Sequence, residues 1–175
     1  MPLLWNGTLH AVPVRLRTAR GMFDVPLVVD TGLNGTFTLG AATSARLGLP
    51  EGVHASGWSK GKGLGPKGLR FQRLRFDALE LGATTLPKIP AFAVAATDTG
   101  ARVGDLLGTE VLRRFRVFLD YRGNALVLAP NRDLRKPYRH GGGGGSGSGA
   151  AVVIAILVAL GAGSNAARNR RPPEL

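Results

Sequence analysis

The chain has no cysteine, which excludes disulfides, thiolate catalysis and Cys-ligated zinc. Its histidines, His10, His54 and His140, are widely scattered. A histidine-based metal site is therefore not expected, and nothing implies another cofactor. Acids are also scarce, 11 against 23 Lys and Arg, for a formal charge of +12. Such an excess fits an anionic partner, nucleic acid or membrane, or equally arginine carried on the solvent faces of strands. The opening stretch "MPLLWNGTLHAVPVRLR" lacks the charged n-region and sustained apolar core of a secretory signal. Nothing there argues for export, so a cytoplasmic location is expected.

What is abundant is glycine and proline, 26 and 11 in 175 residues, set among many short apolar runs. That composition points to an all-β fold with frequent turns, and the length suits one domain with a sizeable core. Residues 11–29 read as a hairpin. Val12, Val14 and Leu16 alternate with Arg15 and Arg17, "TARG" (18–21) turns, and Phe23, Val25, Leu27 and Val29 resume the alternation. "GAATSARLG" (40–48) reads as a short helix closed by Gly48. In 69–82 the apolar phase shifts between Phe71 and Leu74, which predicts a bulge or bend. "LPKIPAFAVAA" reads as another strand, and "GDLLGTEVLRRF" as an apolar pair ending in Gly108 followed by a helical turn. Residues 115–130 form a second hairpin that turns at Arg122-Gly123-Asn124.

After Pro130 the folded pattern stops. The division expected is a domain at 1–135, a basic exit and Gly/Ser linker at 136–149, a short hydrophobic segment at 150–167 and a basic tail at 168–175. As a helix, the unbroken apolar run 150–161 spans about 18 Å, short of a bilayer core of about 30 Å. The uncharged neighbours through Ala167 bring the segment close to spanning length. A weak tail anchor, a peripheral membrane segment and an extension without such a role all remain open.

"PLVVDTGLNGTFTL" (26–39) poses the functional question, because an apolar run ends on Asp30 and resumes at Phe37. Asp-Thr-Gly suits a tight turn, and it equally suits a catalytic carboxylate delivered to the end of a strand. The order of elements bears on the choice. "LVVDTGLNGTFTL", "ARLGL" (45–49), "LELGATTLPKIPAFAV" (79–94) and "GDLLGTEVLRRFRVFLDYRGNALVL" (104–128) together resemble the retropepsin-like aspartic proteases, their single-domain bacterial members in particular. The resemblance covers roughly residues 11–130, and its strongest element is the pairing of Asp-Thr-Gly with "LLGTEVL".

The resemblance implies an all-β, retropepsin-like acid-protease barrel with one or two short helices, acting as a homodimer on peptide or protein substrates. It implies that Asp30 is catalytic, that Thr31 bonds across the dimer interface and that Gly32 lets the backbone approach the carboxylates. Leu106, Leu107 and Gly108 would be the apolar-Gly motif of the second half. Residues 55–68, with Gly57, Trp58, Gly63 and Gly65, would be the flap over the substrate. Leu33 stands where the family usually carries Ala or Ser. Either a narrowed cleft or a carboxylate without a neighbouring hydroxyl is expected there.

Other signals carry less. Asp98-Thr99-Gly100 repeats the triplet, but no apolar strand leads into it or resumes after it. "GLGPKG" (63–68) fits G-x-G-x-x-G but lacks the strand before it and the helix after it that a dinucleotide site needs. Asn6-Gly7-Thr8 and Asn34-Gly35-Thr36 match glycosylation sequons without a route to export. The basic stretch 59–75, with Trp58 and Phe71 interleaved, fits either a solvated hairpin or a surface that tracks a phosphate backbone. The competing functional class is thus a catalytically inactive domain of this type, binding peptide or nucleic acid.

Overall fold

The computed structural model describes residues 1–5, 9–61, 69–95 and 103–138. Ten strands and two short helices follow one another among them. β2 (His10–Thr18) and β3 (Gly21–Val29) follow the short β1 (Leu4–Trp5). β4 (Phe37–Leu39), α1 (Ala41–Arg46), β5 (His54–Gly61), β6 (Leu69–Leu81) and β7 (Thr84–Val94) come next. β8 (Leu106–Leu107), α2 (Thr109–Leu112), β9 (Phe115–Asp120) and β10 (Ala125–Pro130) complete the order.

The main sheet runs β1-β2-β3-β8-β4-β7-β6-β5, and β2 also pairs with β6. That extra pairing closes six strands into a barrel, so the fold is all-β as the composition implies. The closing seam sets Arg15 opposite Glu80. Both Arg15 and Arg17 reach the Glu80 carboxylate, at 2.7 and 2.8 Å. The single carboxylate thereby offsets the charge of one of these two arginines on the barrel wall.

Alternation explains the first hairpin. Val12, Val14, Leu16, Val25 and Leu27 are buried inside the barrel, while Arg15 and Arg17 face out. Gly21 closes the turn at φ +127°, a conformation that only glycine adopts at ease. The helix expected at 40–48 is α1, and Gly48 follows it at φ +63°. The hairpin expected at 115–130 is β9 and β10, paired in register from Phe115↔Pro130 to Asp120↔Ala125.

Two expectations need correction. The phase shift between Phe71 and Leu74 is not a bulge in β6, whose pairing with β7 is unbroken from Phe71 to Phe76. Phe71 and Leu74 point to opposite faces, and both faces are covered there. Leu74 belongs to the barrel core. Phe71 belongs to a second cluster with Leu33, Ala41, Val94, Val103 and Leu106. The bulge lies in β5, between Ala55 and Trp58, so part of the glycine-rich stretch 55–68 is a paired strand.

The chain beyond Pro130 also stays on the barrel. Arg114 is 1% exposed. Its Nε donates to the Glu110 carbonyl, and its Nη1 donates to the carbonyls of Asp133, Leu134 and Lys136 at 2.7–3.0 Å. The Tyr138 ring lies 4.1 Å from its guanidinium. Residues 131–138 are thereby tied down through backbone oxygens, which hydropathy does not report. Among the described residues no helix is long and apolar enough to cross a membrane. The Gly/Ser stretch, the apolar segment and the basic tail lie outside the described residues.

Candidate active site

Asp30 follows the last residue of β3 and is half-buried. β3 lies between β2 and the parallel β8, so its backbone is paired on both edges. The Asp30 amide continues that pairing by donating to the Leu107 carbonyl at 3.0 Å. The chain then turns sharply. Gly32 donates its amide to Asp30 Oδ1 at 2.8 Å, and Leu33 donates to the Asp30 carbonyl. The turn reading of Asp-Thr-Gly is thus true of the local geometry, and it leaves the carboxylate at the rim. Among the described residues Asp30 Oδ2 has no hydrogen-bond partner, and no cation is ion-paired with either oxygen.

The loop that carries Asp30 is held from beneath by the segment Leu106-Leu107-Gly108 and by α2. A helix start leaves backbone amides without intrahelical partners. Here Thr109 and Glu110 donate theirs to the carbonyls of Leu33 and Gly35, both at 2.9 Å. Gly108 donates to Thr36 at 2.7 Å, and the Thr109 hydroxyl adds a second bond to the Leu33 carbonyl at 3.0 Å. β4 then pairs with β8 antiparallel, Phe37 opposite Leu107. The structure therefore brings Asp30-Thr31-Gly32 and Leu106-Leu107-Gly108 together, although they are far apart in the chain.

Leu33 does not narrow a cleft. It is completely buried and packs in the second cluster, so its side chain serves as the anchor of the loop. Thr31 and Gly32 are exposed beside Asp30. Gly57 and Trp58 lie on β5, Gly57 at φ +111° within the bulge and Trp58 exposed beneath the Arg70 guanidinium, 4.9 Å from its ring. Gly63 and Gly65, like Asp98-Thr99-Gly100 and Asn6-Gly7-Thr8, fall outside the described residues.

Asp105 was not singled out by its spacing or neighbours. It precedes β8, and its carbonyl accepts the Val28 amide at 2.8 Å. Its carboxylate accepts the Gly40 amide at 2.8 Å and the Thr43 hydroxyl at 2.6 Å. Gly40 opens α1 with no side chain of its own, so Asp105, from another part of the chain, fixes the start of the helix through the Gly40 amide and the Thr43 hydroxyl. Burial pushes the Asp105 carboxyl above its ordinary value, and the bonds from Thr43 and Gly40, with the charge of Arg46, oppose the shift.

Among the described residues no three His, Asp or Glu side chains converge as metal donors would. Two cavities flank residues 129–138, one lined by Arg116 and Asp133 and one by Arg114 and Tyr138. Neither includes Asp30. The carboxylate of a single chain sits on a surface rim.

No family model and no curated protein matches the chain. Among solved structures it is similar to a retropepsin-like aspartic protease from Rickettsia conorii, with 17% sequence identity and a TM-score of 0.41. That likeness covers 67% of this chain and 87% of the other.

Proposed function

We propose that the chain is an aspartic endopeptidase in which two copies pair and bring their Asp30 carboxylates together to activate a water. One observation carries the reading. Asp30 is presented at the end of a strand hydrogen-bonded on both edges, on a loop anchored by Leu33 and by α2, with one carboxylate oxygen free of partners among the described residues. Rigid support with an open oxygen suits a reacting group.

Hydrolysis without a metal or a nucleophilic side chain needs a base for the water and an acid for the carbonyl. Two carboxylates about 3 Å apart hold one proton between them and supply both. Their titration belongs to the pair. A single chain contributes one such acid, so a two-fold assembly completes the site. β9 has one strand partner among the described residues, and Phe118 and Val127 sit opposite each other, both exposed, on that ribbon. Such an edge and face suit association with a second copy. An extended peptide would lie across the barrel mouth, bonded through its main chain beneath the β5–β6 hairpin.

The test is cleavage of a diverse peptide pool between pH 4 and 7, read by mass spectrometry beside Asp30→Asn. Cuts made by the parent and absent from a folded variant support the reading. A folded parent that makes no cut at concentrations favouring a dimer favours the binding module, for which the exposed Arg70 against Trp58 and the exposed Arg75 on the same strand are the supporting observations.

A further inference from the structure

β6 carries Arg70, Arg73 and Arg75, and among the described residues none of them is in an ion pair. Arg70 rests on the Trp58 ring and Arg75 is exposed. Arg73 differs from both. It is half-buried, and its Nε is shielded from water with no acceptor among the described residues. A charged donor in that condition is costly, and native structures rarely leave one unexplained.

Its position suggests what the partner is. Ala55 pairs with Leu74 and Trp58 with Gln72, so Ser56 and Gly57 together oppose Arg73 in the β5 bulge. A Cβ added to Gly57 would lie 3.6 Å from Arg73 Nη2, so the guanidinium lies alongside that glycine. Across the other edge Arg73 pairs with Phe92, and Phe71 pairs with Val94. Directly opposed residues share a face. Arg73 therefore stands on the face that carries Phe71, Phe92 and Val94, and this face packs Leu33 of the Asp30 loop.

We propose that Arg73 is a specificity-determining residue, pairing through its guanidinium with an acidic side chain of an extended peptide laid between the β5–β6 hairpin and the Asp30 loop. The inference rests on the peptidase reading above and adds a substrate class to it. A carboxylate matches the planar guanidinium with two parallel bonds.

The experiment uses the full chain as Asp30→Asn, which holds peptides uncleaved. Fluorescein-labelled peptide mixtures, with one position at a time fixed as Glu or as Gln, are titrated by anisotropy. At one position the Glu mixture is expected to bind about tenfold more tightly than the Gln mixture. Adding Arg73→Gln should bring the ratio to one, and Arg73→Lys should keep part of it. Arg132→Gln, which removes an equal charge from an exposed site, should leave it unchanged. A Glu:Gln ratio that survives in a folded Arg73→Gln variant overturns the inference. So does Arg73-dependent binding of a labelled single-stranded DNA with no ratio among peptides. Asp30-dependent cleavage by the unsubstituted chain with no ratio at any position removes the inference and leaves the peptidase reading standing. Absence of both peptide binding and cleavage removes both.

Discussion

Gly108 lies so close to Gly35 that a methyl group on Gly108 would press into the Gly35 carbonyl oxygen, and it would stand 2.8 Å from both the carbonyl oxygen and Cγ of Leu33. The neighbours are mostly backbone, so neither side can give way cheaply. Gly108→Ala is expected to destabilise by at least about 1–3 kcal/mol and to displace the Asp30 loop. Gly35→Ala makes a fair control, because its new Cβ meets only Leu33 Cδ1 at 3.9 Å. It should stay within about 0.5 kcal/mol of the parent. Urea unfolding of the two variants checks the contrast, and equal stabilities would contradict it.

Leu33 makes the second prediction. Because it is fully buried in the cluster beneath the loop, Leu33→Ala should lose about 2–5 kcal/mol through lost burial and the cavity left behind. Leu33→Ser should be no better, since the new hydroxyl would enter an apolar cluster. If either variant is as stable as the parent, Leu33 is not the anchor described.

Asp105 gives a pH dependence whose sign is fixed by burial. Its carboxyl is raised above 3.8 in the folded chain, so the folded state holds the proton to a higher pH than the unfolded state does. The contribution to stability is fully present below 3.8 and is lost as pH rises from there through the folded value. Asp105→Asn keeps groups for Gly40 and Thr43 and removes the titration. Over that window the parent should lose stability relative to Asp105→Asn as pH rises, in parallel urea titrations. Curves that stay parallel would contradict the assignment. Asp105→Ala leaves the Gly40 amide and the Thr43 hydroxyl without their acceptor and should cost about 1–3 kcal/mol below pH 3.8, and less as pH rises through the folded value.

Arg114 holds residues 131–138 through carbonyl oxygens and the Tyr138 ring. Arg114→Met should cost about 2–4 kcal/mol. Amide exchange should quicken first at Leu134 and Lys136, whose amides donate to Asn131 and Asp133 within that segment. Uniform quickening across the barrel, with no lead at these residues, would show that the segment is not a separate latch.

Much of the architecture is written in local patterns. The two hairpins follow from alternation over 11–29 and 115–130, and α1 from its alanines and Gly48. What alternation cannot show is a residue buried on the second face of a sheet. Phe71 looks out of phase with Leu74 only because each faces a different cluster. Barrel closure is hidden for a similar reason. It depends on Arg15 meeting Glu80 across a long loop of chain, and neither residue carries a local mark of that meeting.

The candidate site was half legible. An apolar run ending in Asp-Thr-Gly, and a later Leu-Leu-Gly, are visible by eye, and the structure sets them side by side. Asp105 and Arg73 were not visible as site residues. One acts on a helix distant in sequence, and the other matters because of a bulge in its neighbouring strand.

The central claim is that two Asp30 carboxylates, one from each copy, act together. The most direct measurement adds Asp30→Asn chain to a fixed amount of the parent and follows hydrolysis of one cleaved peptide. With equal amounts and free exchange of copies, mixed pairs form at random and carry one acid each. Activity per parent chain should then fall to about half. A rate that does not change as the variant is added, with exchange verified by differently labelled chains, would contradict the shared site.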